Sequence, residues 1–236
     1  MSEGKIQANE TLKFLAAAAH DLKTPLVYIR GAAAQLSLGE YDEVDSQRQL
    51  LNIEHSAQRL LSLVDSLIGA TRADQEPLPL EPIEVAEAIS LAVEEIRPYA
   101  NQLGFSFKIN CSRQLPPVLS HRLALKRIIF NLLDNAIKYT QDEPVIQIRA
   151  RRDDNRVRVT VRDYGIGVRP SDLKQIWRLF GQAAEPSHAL PGSSGLGLYI
   201  VSNLSRHISA ELSLKSLSRG TSFFVRLPVA RQLALF

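Results

Sequence analysis

The sequence predicts an α+β chain: a helical hairpin that completes itself as a dimeric four-helix bundle, followed by a two-layer α/β sandwich. Three observations carry that prediction. Before residue 75, apolar residues recur in alternating steps of four and three along two long segments. At Gln75-Glu76-Pro77-Leu78-Pro79-Leu80-Glu81-Pro82 three prolines crowd a short stretch, where they stop a helix and favour extended backbone. Beyond it, segments with period-two apolar alternation are interleaved with helical ones.

Taken in order, Leu15, Ala19, Leu22, Leu26, Ile29, Ala33 and Leu36 mark a first helix. Leu50, Ile53, Ala57, Leu60, Val64 and Leu67 mark a second, and Gly39-Glu40-Tyr41-Asp42 supplies the turn between them. Spacing of this kind is a coiled-coil seam. Two helices bury little by themselves, so two hairpins are expected to pair as a homodimer; the competing arrangement is a monomeric hairpin packed on the second domain. The predicted domains are residues 1–74, a linker at 75–82, and residues 83–236.

In the second domain Ile83 to about Leu103 and His121 to about Tyr139 read as helices, and Phe105-Ser106-Phe107-Lys108-Ile109 as a strand. Ile146, Ile148 and Ala150 alternate with polar neighbours, as do Val157, Val159 and Val161 with Arg156, Arg158, Thr160 and Arg162. Asp153-Asp154-Asn155 turns one of those strands into the next. Glu211 to Lys215 and Ser222 to Leu227 supply two more.

Composition excludes several classes. The 236 residues are 45% hydrophobic and 22% charged, as expected of a globular protein able to bury a core. No run approaches the roughly 20 apolar residues of a membrane span, so no transmembrane segment is expected. Cys111 is the single cysteine, which rules out an intramolecular disulfide and suits a reducing cytoplasm. His55, His188 and His207 lack metal-ligand spacing with one another or with Cys111. A net charge of +3 does not call for nucleic acid. Arg149, Arg151, Arg156, Arg158 and Arg162 form a basic sheet face without interleaved aromatics, expected to be solvated.

The polar exceptions carry the chemistry. Asn131 and Asn135 lie four apart on one helical face, with Lys138 three further on. Two amides and an ammonium in one stripe suit magnesium and phosphate oxygens, because Mg²⁺ takes oxygen ligands and keeps several waters. Tyr139 adds an aromatic face. Asp163 ends a strand ahead of Gly165 and Gly167, where backbone can approach a planar ligand closely. Its carboxylate is placed to accept a hydrogen bond from an exocyclic amine such as adenine's. Gly195-Leu196-Gly197 precedes an apolar helix, so its amides can meet phosphates at a helix N-terminus. Far upstream, His20 stands in His20-Asp21-Leu22-Lys23-Thr24-Pro25-Leu26. Ala19 takes the seam position, which sets His20 on the solvent flank with Thr24 one turn on; Pro25 bends the helix behind them.

With these residues in view, the chain resembles the catalytic core of a bacterial sensor histidine kinase from Phe14 to Pro228. The His20 segment resembles the phosphoacceptor box and Asn131 to Thr140 the asparagine box. Asp163 to Gly167 resembles the first glycine box, Ile176 to Gln182 the phenylalanine box, and Gly192 to Leu198 the second glycine box. Arg219-Gly220-Thr221 resembles the last glycine-threonine turn. The resemblance implies a Bergerat-type ATP-binding domain, of the kind shared with gyrase and a heat-shock chaperone class, and a dimeric phosphotransfer bundle. Four places depart from the family pattern. Ser193 replaces a glycine of the ATP lid, and Leu179 a basic residue before Phe180. His207-Ile208-Ser209-Ala210 replaces a histidine-glycine-glycine turn, and His121 stands where an aspartate often caps the helix, a role Ser120 can fill.

What the resemblance implies is an ATP-dependent protein-histidine kinase of a two-component system. His20 is the nucleophile, Asp21 orients it and takes its proton, and Thr24 serves a phosphatase step. ATP contacts are expected from Asn131, Asn135, Lys138, Tyr139, Asp163, Gly165, Gly167, Gly195, Leu196, Gly197 and Thr221, with Mg²⁺ on Asn135 and Asn131. The partners implied are a second copy and the receiver domain of a response regulator, whose aspartate takes the phosphoryl group. The alternative is a nucleotide-binding signalling scaffold with little turnover.

Overall fold

The computed structural model describes residues 19, 22–23, 25–39, 41–72, 78–140, 143–178, 181, 195 and 197–230. They fall into two compact units, Met1–Asp74 and Gln75–Phe236. In the first, residues 25–37 form helix α1 and Glu43–Arg72 form α2. Asp42 caps α2: its carboxylate accepts the Asp45 backbone N–H at 2.8 Å. Glu43 and Asp45 occupy the first turn, where the helix dipole favours anions. Tyr28 donates across the hairpin to Gln49 Oε1 at 2.9 Å, and Tyr41 to Gln35 Oε1 at 2.8 Å. Seam residues nevertheless stay uncovered in the single chain: Leu26 and Leu50 are 57% exposed and Val64 39%.

The second unit runs β1 (Glu81–Ile83), α3 (Val85–Gln102), β2 (Ser106–Cys111), β3 (Val118–Ser120), α4 (Arg122–Tyr139), β4 (Val145–Asp153) and β5 (Arg156–Arg162). A 3-10 turn at Pro170–Asp172, α5 (Gly197–His207), β6 (Glu211–Ser216) and β7 (Thr221–Pro228) complete it. The main sheet has the order β2-β4-β5-β7-β6. β2 pairs parallel with β4 and every other neighbour pairs antiparallel. Alternation sorts its faces as the sequence predicts. Ile146, Ile148, Val157, Val159, Val161, Val225 and Leu227 are buried in one core with α3 (Ile89, Val93, Ile96) and α4 (Leu125, Ile129, Leu132). Each fully buried aliphatic side chain contributes about 1.5–3 kcal/mol. The result is the two-layer sandwich, with helices on one side.

The boundaries differ from the sequence reading in two places. Glu81 and Pro82, expected in the linker, belong to β1, which pairs with Ser120 and Leu119 of β3. Proline is tolerated there because each strand of a two-stranded sheet is an edge. Ile83, the expected helix start, pairs with Val118 instead, so α3 begins at Val85. The cap of α4 is His121, whose Nδ1 accepts the Ala124 N–H at 3.3 Å. Ser120 cannot serve, since its backbone is still committed to β3 opposite Glu81. Among the described residues no helix is long and apolar enough to cross a membrane.

Candidate functional site

Where α4, the ends of β5 and β7 and the start of α5 converge, a pocket is lined by Asn135, Lys138, Asp163, Gly167, Gly197 and Thr221 among others. Asp163 is its most constrained polar group. It is buried, yet its Oδ1 accepts the backbone N–H of Gly165 and of Thr221, both at 3.0 Å. Burial pushes its carboxyl above the usual carboxylate range; those two N–H groups pull in the opposite direction. Oδ2 carries neither bond.

Two glycines hold this corner together. A Cβ on Gly165 would stand 2.0 Å from the Tyr139 carbonyl oxygen, so only glycine lets the loop close against the end of α4. The same carbonyl accepts the Ile166 N–H at 3.2 Å. Gly220 has φ +85°, and a Cβ there would meet the Asp163 carbonyl oxygen at 2.1 Å. That approach sets the Thr221 N–H on the carboxylate.

Along α4 the stripe read from the sequence faces α5. Asn131 spends its Nδ2 on the Arg127 carbonyl at 2.8 Å. The Asn135 Nδ2 is buried and has no hydrogen-bond partner among the described residues. The Oδ1 atoms of Asn135 and Asn131 lie 3.3 and 3.5 Å from where a Cβ of Gly197 would be. Two amide oxygens beside the first turn of α5 are a donor set that fits a hard cation such as magnesium. Lys138 is buried and pairs with Asp134 one helical turn back. That carboxylate escaped the sequence reading, because an acid four residues before a lysine is an ordinary helix pair.

Of the residues expected to form the site, Asn135, Lys138, Tyr139, Asp163, Gly167, Gly195, Gly197 and Thr221 line this pocket. Asn131 and Gly165 stand directly behind it, the former toward Gly197 and the latter against Tyr139 and Asp163. Leu196, His20, Asp21 and Thr24 lie outside the described residues. The pocket also has an apolar wall to which the sequence reading gave no role: Ile166, Ile176 and Leu198, which lie inside the family-like boxes, and Val168 and Phe223, which lie outside them. Phe223 is braced by Trp177, ring edge to face at 6.1 Å and 84°. Nothing in sequence separates Phe223 from Val225 and Leu227, which share its alternation and its core but do not reach the pocket. A pocket with an apolar wall, one fixed carboxylate at its base and amides with an ammonium at its mouth suits an amine-bearing ring joined to phosphates.

Comparison with known proteins agrees with this geometry. The model described as "Histidine kinase-, DNA gyrase B-, and HSP90-like ATPase" matches residues 120–231, which include every residue of the pocket. The "His Kinase A (phospho-acceptor) domain" matches residues 11–76. An uncharacterized sensor-like histidine kinase of Rhizobium meliloti is 31% identical over 92% of the chain, which spans 42% of that protein's length. The autoinducer 2 sensor kinase/phosphatase LuxQ of Vibrio vulnificus is 28% identical over 97% of the chain, which spans 28% of it. Among solved structures, full-length ShkA in complex with AMPPNP superposes with a TM-score of 0.63 at 24% identity, over 92% of this chain and 46% of that one. The Acinetobacter baumannii histidine kinase AdeS gives 0.63 at 18%, over 90% and 98%. At these identities the two structures speak for the fold.

Proposed function

We propose that this chain, which belongs to the histidine kinases, binds ATP in the pocket between α4 and α5 and transfers its γ-phosphoryl group to His20. The observation that carries the nucleotide is Asp163, buried at the pocket base and pinned through Oδ1 by Gly165 and Thr221. That leaves Oδ2 to accept from the exocyclic amine of adenine. Phosphates extend toward Gly195 and the N-terminus of α5. Lys138, Asn135 and Asn131 hold the charged end. Magnesium, when bound through the two amide oxygens, offsets phosphate charge.

His20 needs a neutral imidazole, which an unperturbed pKa near about 6.5 largely provides at neutral pH. The ring nitrogen attacks the γ-phosphorus, the bond to the β-phosphate oxygen breaks, and ADP leaves. Asp21 orients the ring and takes its proton. Positioning and electrostatics supply most of such a transfer. The test is incubation of the purified chain with γ-labelled ATP. Label that is acid-labile and base-stable is the expected product; acid-stable label or none removes the reading.

The phosphoryl group then passes to an aspartate on the receiver domain of a separate response regulator, in the cytoplasm where ATP is available. Thr24, four residues beyond His20 in the sequence, positions a water for the reverse loss of phosphate from that aspartate. Thr24→Ala is expected to slow ADP-dependent dephosphorylation of a phosphorylated regulator and leave His20 labelling intact. Unchanged dephosphorylation assigns Thr24 a structural role instead.

The uncovered seam of the hairpin supports assembly as a homodimer. Leu26 and Leu50, each 57% exposed in the single chain, accept charge at little cost in a monomer but not in a closed bundle. Leu26→Glu with Leu50→Glu should therefore convert a dimer to a folded monomer in light scattering at tens of micromolar. A wild-type monomer under those conditions points to the unpaired hairpin.

A further inference from the structure

The face of the main sheet turned away from the helices carries a concavity of about 260 Å³ that the kinase reading does not use. It approaches the roughly 300–1,000 Å³ of small-molecule sites. Its rows are set by strand register. Arg151, Arg158 and Arg226 stand opposite one another across β4, β5 and β7; Arg149, Thr160 and Phe224 form the next row, and Gln147, Arg162 and Ser222 the third. Like charges directly opposite across a sheet repel. Nearby carboxylates relieve only one side. Asp153 Oδ2 takes Arg158 at 2.8 Å and Arg226 at 2.6 Å. Glu211 takes Arg226 and Arg156, each at 2.9 Å.

On β4 the acid that lines the concavity, Asp153, is spent on Arg158 and Arg226, and Arg149 and Arg151 have no carboxylate partner among the described residues. Arg151 makes no hydrogen bond or ion pair with a described residue, and Arg149 bonds only the neutral Gln147, at 3.1 Å. Arg162 lies over the Tyr164 ring at 4.8 Å, and its buried Nε has no hydrogen-bond partner among the described residues. Planar guanidinium forks match phosphate oxygens two at a time, and Thr160 and Ser222 add hydroxyl donors to the same lining. A stripe for a long polymer needs cations continued along a track, whereas these converge on one dish.

We propose that this concavity is a binding site for a compact soluble polyanion carrying two or more linked phosphate groups. It is separate from the nucleotide pocket but lies back to back with it. Arg162, Ser222 and Phe224 line the outer concavity, and their chain neighbours Asp163, Thr221 and Phe223 line the pocket. β4 contributes nothing to that pocket, so Arg149 and Arg151 are the positions at which the two sites can be told apart.

The test is titration of the full chain with inorganic tripolyphosphate by calorimetry, at low and at physiological salt. Binding should weaken with salt. The Arg149→Gln/Arg151→Gln double variant should lose about tenfold or more in affinity, as expected for charge-assisted hydrogen bonds. Arg149→Lys/Arg151→Lys, which keeps the charge without the fork, should fall between. Affinity for an ATP analogue should not change in either variant. Arg206→Gln, on the last turn of α5, should leave tripolyphosphate binding as it is. Tripolyphosphate that binds the double glutamine variant as well as the wild type is held elsewhere, and the proposal is wrong. It is equally wrong when tripolyphosphate does not bind at all, even though a polyglutamate peptide, an oligonucleotide or anionic vesicles bind in a manner that requires Arg149 and Arg151.

Discussion

His20→Gln removes all acid-labile label from γ-labelled ATP while nucleotide affinity stays within about twofold, the scatter expected of independent sites. The loss is complete because glutamine keeps roughly the bulk and polarity of histidine but offers no nucleophilic ring nitrogen. Affinity survives because the pocket is built wholly from the second unit: α4, the β5 and β7 ends, and the first turn of α5. The two readouts together separate the kinase from its rivals. A variant that still takes up acid-labile phosphate has another acceptor, and His20 loses its role. A variant that loses label and affinity together is misfolded or has a nucleotide site that depends on the hairpin. A wild type that binds ATP without labelling, under conditions that keep it dimeric, is the signalling scaffold.

How far the sequence disclosed this site depends on the kind of interaction involved. The asparagine stripe was legible because four-residue spacing on a helix fixes a face whatever the tertiary fold, and Asn131 and Asn135 do share the side toward Gly197. Asp163 was legible for a related reason: a carboxylate at a strand end followed by two glycines is unusual locally. The apolar wall was not. Phe223, Ile176 and Val168 become neighbours only when β7 and the segment after β5 come together, and long-range contacts of that kind leave no periodicity. The differences at the start of α3 share this origin. Ile83 adjoins the apolar pattern of α3 and so extends it in sequence, but it is β-branched and a three-residue partner strand some 35 positions away claims it. The alternation alone marks the basic face as a row of arginines, the pattern of a solvated face. Which of them had carboxylate partners depended on Asp153 and Glu211, and the latter comes from a strand two positions across the sheet.

Asp163→Asn is expected to cost ATP binding about 1–3 kcal/mol, the range for leaving a buried hydrogen-bonding group without its partner, with no loss of fold. Asparagine preserves the half of the side chain that holds the corner: its Oδ1 can still accept the Gly165 and Thr221 N–H groups, now at 3.0 Å from the aspartate. It changes only the other atom. Where Oδ2 would accept from the adenine amine, an Nδ2–H₂ now opposes it, donor against donor. Guanine offers a carbonyl oxygen at that position, so GTP should lose less than ATP, and the ratio of the two affinities is the decisive readout. Equal loss for both, or none for either, removes the assigned role. Stability should move the other way. Burial raises the Asp163 carboxyl in the folded chain above its ordinary value, the backbone N–H groups opposing it. The folded state therefore binds that proton more readily than the unfolded one. Above the raised value the buried charge costs stability, and that cost is relieved as pH falls through it toward the ordinary carboxylate range. Asparagine carries no such charge, so at neutral pH the variant should melt no lower than the wild type in the absence of nucleotide. In the wild type, ATP affinity should weaken over the same descent in pH, as protonation takes away the acceptor the amine requires. A variant that melts lower and binds neither nucleotide would mark Asp163 as a strut of the loop alone.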